Sequence, residues 1–254
     1  MINIASYIDH TILKPTTTHI EISRICEEAR QYSFAAICVP PPFVREARRL
    51  LSGNPSAGKL MEMTPVKIAT VIGFPFGYSI RKAKLEETEQ AIADGADELD
   101  VVINLVALKN GDWDYLEKEM NGLTDCIHAH GRVVKVIIES GVLLDEEIIR
   151  CCDLYSKVGV DFLKTSTGYA EKGATIGAVQ LMRQHLPPSI RIKASGGIRE
   201  YSFAHQLVQA GAERLGCSAS IAIVKGQSSG EGVIAGIKKK AKGEDSEWEI
   251  GGEG

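Results

Sequence analysis

The chain reads as a single closed (β/α)₈ barrel, the TIM-barrel architecture of the α/β class, and three observations predict it. Short, nearly continuous apolar runs rich in Val and Ile recur along the sequence, as expected of strands covered on both faces of a parallel sheet. Helical periodicities lie between those runs, so strand and helix alternate as βα units. Eight such units suit a chain of 254 residues. Periodicity by itself leaves an open doubly wound sheet as the alternative.

The elements follow in order. YIDHTIL (7–13) is the short first strand. Ile22, Ile25, Cys26 and Ala29 then keep the i, i+3, i+4, i+7 spacing of a helix stripe, with threonines before them as caps. AAICVP (35–40), VKIATVIGF (66–74) and ELDVVIN (98–104) are the next three strands. Leu116, Met120, Leu123 and Ile127 mark another apolar helix face ahead of the fifth strand, VVKVIIES (133–140). VDFLKT (160–165) and RIKAS (191–195) are the sixth and seventh. Phe203, Ala204, Leu207 and Val208 form the helix face before RLGCS (214–218), the eighth. Gly95, Gly131, Gly159 and Gly211 stand at helix-to-strand joins, where the residue past a helix end takes the left-handed backbone. The barrel is assigned to residues 1–226. Residues 227–254 change character, with KKKAK (238–242) followed by the acidic GEDSEWEIGGEG, and are expected to form a loosely held tail.

Composition narrows the function. Net charge is −4 with both signs mixed along the chain, so no nucleic-acid partner is expected. No apolar stretch approaches the roughly 18–20 residues of a membrane helix. The N-terminus carries Asp9 and lacks a signal-peptide core, which points to a cytoplasmic protein. The six cysteines (26, 38, 126, 151, 152 and 217) make no C-x-x-C pair and read as reduced packing thiols. Only His128 and His130 stand close together, without a carboxylate or cysteine at ligand spacing, so no metal is expected.

Four of the apolar strands carry a charge. In VVKVIIES, alternation puts Lys135, Ile137 and Glu139 on one face; in ELDVVIN, Asp100 shares a face with Val102 and Asn104. Lys164 lies in the sixth strand and Lys193 in the seventh. Any one of these lysines alone could snorkel to solvent. Together, near the strand ends that share one rim of a barrel, they look like a site. Two neighbouring ammonium groups disfavour protonation, and desolvation adds to the shift. A lysine tuned down in this way adds to carbonyls and forms an imine. Lys164 is thus a candidate Schiff-base nucleophile and Asp100 a candidate proton carrier.

Two glycine loops, ASGGIRE (194–200) and LGCSAS (215–220), offer backbone N–H groups where barrels commonly bind phosphate, after strands seven and eight. GNPSAGKL (53–60) imitates a P-loop. It has Leu60 in place of the magnesium-binding hydroxyl and no preceding strand, so it reads as a surface loop.

DHTILKP (9–15), ICVPP (37–41), ELDVVIN, KVIIES (135–140), FLKTSTGY (162–169), KASGGIR (193–199) and RLGCSAS (214–220) together resemble the 2-deoxyribose-5-phosphate aldolases over residues 8 to 226. The resemblance implies a cofactor-free class I aldolase that reversibly cleaves 2-deoxy-D-ribose 5-phosphate to D-glyceraldehyde 3-phosphate and acetaldehyde. By motif, Lys164 would form the Schiff base and Lys193 would lower its pKa and assist proton transfer. Asp100 would relay protons through a water, with Asp9 and Lys135 holding these groups in place. Gly168, Gly196, Gly197, Arg199, Gly216 and Ser218 would bind the phosphate. Cys38 matches a cysteine associated in some members with inactivation by aldehydes. The chain departs from the family's pattern at Tyr169, where some members have lysine, at Ala219, where serine is common, and at a C-terminus without tyrosine. A homodimer, or a higher homo-oligomer, is implied by resemblance alone. The rival readings are a Schiff-base aldolase for another sugar phosphate and a catalytically silent phosphate-binding barrel.

Overall fold

The computed structural model describes residues 2–52 and 65–229. Eight parallel strands close on themselves: β1 (Ile8–Thr11), β2 (Ala36–Val39), β3 (Lys67–Ile72), β4 (Glu98–Val102), β5 (Val133–Ile137), β6 (Phe162–Lys164), β7 (Arg191–Ser195) and β8 (Arg214–Cys217). Each pairs with the next in the sequence and β8 pairs back with β1, which removes the open-sheet alternative. The look-alike loop 53–60 and nearly all of the expected tail lie outside the described residues.

The helices pack around this barrel. They are α1 (His19–Tyr32), α2 (Val44–Ser52), α3 (Arg81–Ala93), α4 (Leu105–Lys109), α5 (Trp113–Ala129), α6 (Asp145–Val158), α7 (Ile176–His185), α8 (Tyr201–Gln209) and α9 (Ser220–Ser228). Ile22, Ile25, Cys26 and Ala29 of α1 are all buried, and its first turn is closed by a capping box between Thr18 and Glu21. The α5 stripe is buried as expected. In α8, Ala204 and Leu207 are buried while Phe203 and Val208 pack at the margin. Gly95, Gly131, Gly159 and Gly211 all have positive φ. Helix α9 runs through Ser228 and is pinned to the N-terminal segment, where Gln227 donates to the Ile2 carbonyl at 2.6 Å.

Helix α3 escapes pattern reading for a physical reason. Its buried residues are Lys84, Thr88 and Ala91, so polar side chains occupy the face that faces the core and no apolar stripe marks it.

Two placements differ from simple alternation. Asn104 has left β4 and caps α4, its side chain accepting from Ala107 N at 3.0 Å. Glu139 lies beyond the end of β5 with φ 53°, a left-handed backbone uncommon outside glycine. That turn aims its carboxylate at the segment after β6, where it accepts from the Thr167 backbone N at 3.2 Å and from the Thr167 hydroxyl.

Candidate active site

Strand register brings the in-strand charges together. Asp100 lies opposite Lys135, and Lys164 opposite Lys193. Because alternate residues of each strand point into the barrel, Asp9, Glu98, Asp100, Lys135, Lys164, Lys193 and Arg214 meet there in one buried network. Gly216 makes room for it: a Cβ there would stand 2.8 Å from that of Ser195 and 3.2 Å from the Lys193 Cε.

Asp100 is the hub. Its Oδ1 accepts from Lys135 Nζ at 2.7 Å, and its Oδ2 accepts from both Lys164 Nζ and Lys193 Nζ at 2.7 Å. Lys193 also donates to Asp9 Oδ2. Lys135 reaches Glu98 at 2.7 Å and Asp9 at 3.8 Å. Arg214 spans Asp9 at 2.6 Å and Glu98 at 3.0 Å.

The lysines differ in how many carboxylates they meet. Lys135 and Lys193 lose hydration on burial, but Asp100 with Glu98, and Asp100 with Asp9, more than offset this and raise both pKa values. Lys164 has only the shared Asp100 oxygen at ion-pair distance. Burial pushes its pKa below the ordinary lysine value; Asp100 opposes this, and the Lys193 charge adds to the lowering. Burial thus ranks ahead of the second ammonium, which reverses the order of causes expected from sequence. Burial also works against ionisation of Asp100, yet its three lysine neighbours hold it well below the usual carboxylate range. Four basic side chains here face three carboxylates, so the network balances when one amine is neutral, and Lys164 is the one disposed to be.

Lys164 also reaches open space. A cavity of about 500 Å³ is lined by Lys164 and by the loops after β6, β7 and β8. All six glycine-loop residues singled out above border it: Gly168, Gly196, Gly197, Arg199, Gly216 and Ser218. Gly196 (φ 88°) packs against Gly173, where any side chain would strike the Gly196 carbonyl at 2.3 Å. Tyr169 borders the cavity as well; its hydroxyl donates to the Leu13 carbonyl at 2.7 Å and its ring meets Phe74 edge-on. Ala219 stands at the N-cap of α9 and provides no side-chain cap. Cys38 is fully buried beside the network, and burial raises its thiol to about 11.

A retuned lysine, a hub carboxylate and a cavity rimmed by glycine loops describe imine chemistry on a small anionic carbonyl compound. Residues 3–239 match the DeoC/LacD family of aldolases. The chain belongs to that family. A deoxyribose-phosphate aldolase from Thermococcus gammatolerans is 45% identical over 229 residues, covering 90% of this chain and 98% of its own. One from Bacillus mycoides is 46% identical over 229 residues, covering 90% and 97%. Among solved structures, the tetrameric deoxyribose phosphate aldolase from Aeropyrum pernix superposes with a TM-score of 0.79 at 31% identity, covering 89% of this chain and 91% of its own.

Within this DeoC/LacD site, sequence reasoning overlooked Glu98 and Arg214. Glu98 lies two residues before Asp100 and so shares its face, a signal that period-2 reading contains. Arg214 opens β8, where a charge reads as a solvated strand end, and its guanidinium also lies 5.5 Å from the Phe162 ring centroid.

Proposed function

We propose that the chain is a deoxyribose-phosphate aldolase that reversibly cleaves 2-deoxy-D-ribose 5-phosphate through an imine on Lys164. The observation that carries this reading is the pairing of geometry and charge at Lys164. It is a cavity-lining amine with one carboxylate contact, in a network whose charges match when it is neutral.

The chemistry follows from that state. The neutral amine adds to C1 of the open-chain sugar, and loss of water gives the imine, which is protonated to the iminium. Removal of the C3 hydroxyl proton then breaks the C2–C3 bond. Its electron pair moves to the iminium carbon and nitrogen as an enamine, and glyceraldehyde 3-phosphate departs. Protonation at C2 and addition of water release acetaldehyde and restore the amine. Asp100 and Lys193 form the proton relay, since Asp100 Oδ2 already bonds to both lysines. Asp9 and Lys135 keep Lys193 and Asp100 in place and charged. Gly168, Gly196, Gly197, Arg199, Gly216 and Ser218 receive the phosphate, mainly on backbone N–H groups aided by the start of α9.

Among the described residues, no group of three or more His, Cys, Asp or Glu side chains could hold a metal, and no helix is long and apolar enough to cross a membrane. Six free thiols, five of them buried, support a reducing, cytoplasmic location. The tetrameric relative supports a homo-oligomer, for which we propose a dimer as the basic unit.

The test is to incubate the protein with 2-deoxyribose 5-phosphate, add borohydride and map the modified peptide. The expected result is a reduced adduct on Lys164. An adduct on another lysine overturns the assignment. A folded protein that traps other phosphorylated aldehydes or ketones but not this sugar is an aldolase of different specificity, and one that traps none is a silent binder.

A further inference from the structure

A second polar chain borders the same cavity from the helix side of β1, where His10 and Glu28 contribute to its lining. His10 is buried, with Nδ1 2.9 Å from the Ser220 hydroxyl and Nε2 2.7 Å from Glu28 Oε2 of α1. Ser220, itself fully buried, opens α9 and donates to the Cys217 carbonyl at 2.9 Å, closing the turn that contains Ser218 and Ala219. The imidazole is held in place by Phe34, its ring centroid 5.0 Å away.

Proton accounting gives this chain two states. The Ser220 hydroxyl has a single proton and two acceptors within reach. An ionised Glu28 only accepts, so His10 Nε2 carries a proton in either state. When the imidazole is neutral, Nδ1 is bare and draws the Ser220 proton away from the Cys217 carbonyl. When it is doubly protonated, Nδ1 donates to Ser220, and the hydroxyl proton returns to Cys217. Only the protonated state satisfies both contacts and ties the turn.

We propose that His10 is a positioning residue for phosphate: through Ser220 it sets the turn between β8 and α9, and its protonation favours the turn that receives the anion. This rests on the phosphate reading above. The other charged and titratable groups around His10 are Arg24 on α1, 3.8 Å from Glu28; Asp9, its neighbour on β1, committed to Lys193 and Arg214; and Cys217 on β8. Lys14, Glu21, Lys164 and Arg199 line the same cavity as His10, Arg24 and Glu28, and the Cys217 carbonyl also faces the ring. Burial lowers the His10 pKa against the pull of Glu28, so the neutral state prevails at neutral pH and acid is needed to protonate the ring.

Linkage requires reciprocity: if protonation favours the anion, the anion favours protonation. The first measurement is therefore the NMR titration of His10 in the wild-type protein with and without saturating inorganic phosphate. We expect phosphate to raise the His10 pKa in the wild type and to raise it less in Ser220→Ala. An unchanged titration overturns the proposal.

The second is kcat/KM for 2-deoxyribose 5-phosphate divided by that for 2-deoxyribose, followed between about pH 5 and pH 8. The ionisation of the sugar phosphate is common to all variants and cancels between them. Relative to the wild type, His10→Gln and Ser220→Ala should each lose roughly three- to tenfold of the phosphate preference at the acid end, in KM rather than kcat, and little at the alkaline end. Profiles that superimpose on the wild type refute the role of His10. A wild type without preference for the phosphorylated sugar at any pH refutes the phosphate site itself, and the two failures are distinct.

Discussion

Among the described residues, two places bury lysine against carboxylate, and they behave in opposite ways. Inside the barrel, Lys135 and Lys193 each meet at least two carboxylates and are held charged, while Asp9 and Asp100 are held ionised. Between α3 and α5, Lys84 meets Glu119 alone at 3.0 Å, with both side chains fully buried. There burial dominates: the Lys84 pKa is lowered and that of Glu119 raised, so the pair leans toward its neutral form. A buried ammonium therefore keeps its charge only when more than one anion replaces its lost water. Lys164 lies inside the barrel network yet has the single-partner electrostatics of Lys84, and it differs from Lys84 in opening onto the cavity. A lysine nucleophile here needs both few partners and access.

The largest expected effect separates those two requirements. Lys164→Met should lower turnover by at least about 10⁴-fold and abolish borohydride trapping, because Lys164 is the cavity-lining amine whose pKa burial lowers. Lys84→Met should instead cost stability, by about 3 kcal/mol, since it removes the ion-pair partner of buried Glu119 and the donor to the Val102 carbonyl. Its folded fraction should keep kcat within a few-fold. Denaturant unfolding and steady-state kinetics on the pair check this, and comparable kcat losses in both variants would break the comparison.

A smaller effect appears in acid. Asp9 has a folded pKa below its ordinary value of 3.8, because Lys193, Arg214 and Lys135 outweigh its desolvation. A carboxylate with a depressed folded pKa contributes stability that is full above the unfolded value and is lost as pH falls below it. The wild-type midpoint of thermal unfolding should therefore drop steeply below about pH 4. Asp9→Asn should be less stable near neutrality and show a shallower acid limb. Parallel curves for the two proteins would show that Asp9 gains nothing from its cations.

The contrast between the two regions also explains what could be read from the chain. Lys135, Lys164, Lys193 and Asp100 announce themselves because each interrupts a Val- and Ile-rich strand, and period-2 alternation allows them only the barrel interior. The strand rhythm and the helix-end glycines disclose the barrel for the same reason, being local and periodic. Lys84 and Glu119 stay hidden because charged residues are ordinary on helices, and nothing in RKAKLEETEQAIA marks Lys84 as the buried one. Glu98 and Arg214 sit at strand starts, where charge also passes for solvent exposure. The number of carboxylates around each lysine depends on strand register, and no single strand carries that information.

The claim that partner number tunes the nucleophile is tested most directly by the pH dependence of Lys164 imine trapping in the wild type, Lys193→Met and Lys193→Arg. Trapping requires the neutral amine, so its rate should rise with pH through the Lys164 pKa. Removing the Lys193 charge takes away a lowering influence, so in Lys193→Met the rise should move to higher pH, while Lys193→Arg should stay close to the wild type. A rise that keeps its place in Lys193→Met, or moves to lower pH, would contradict the account.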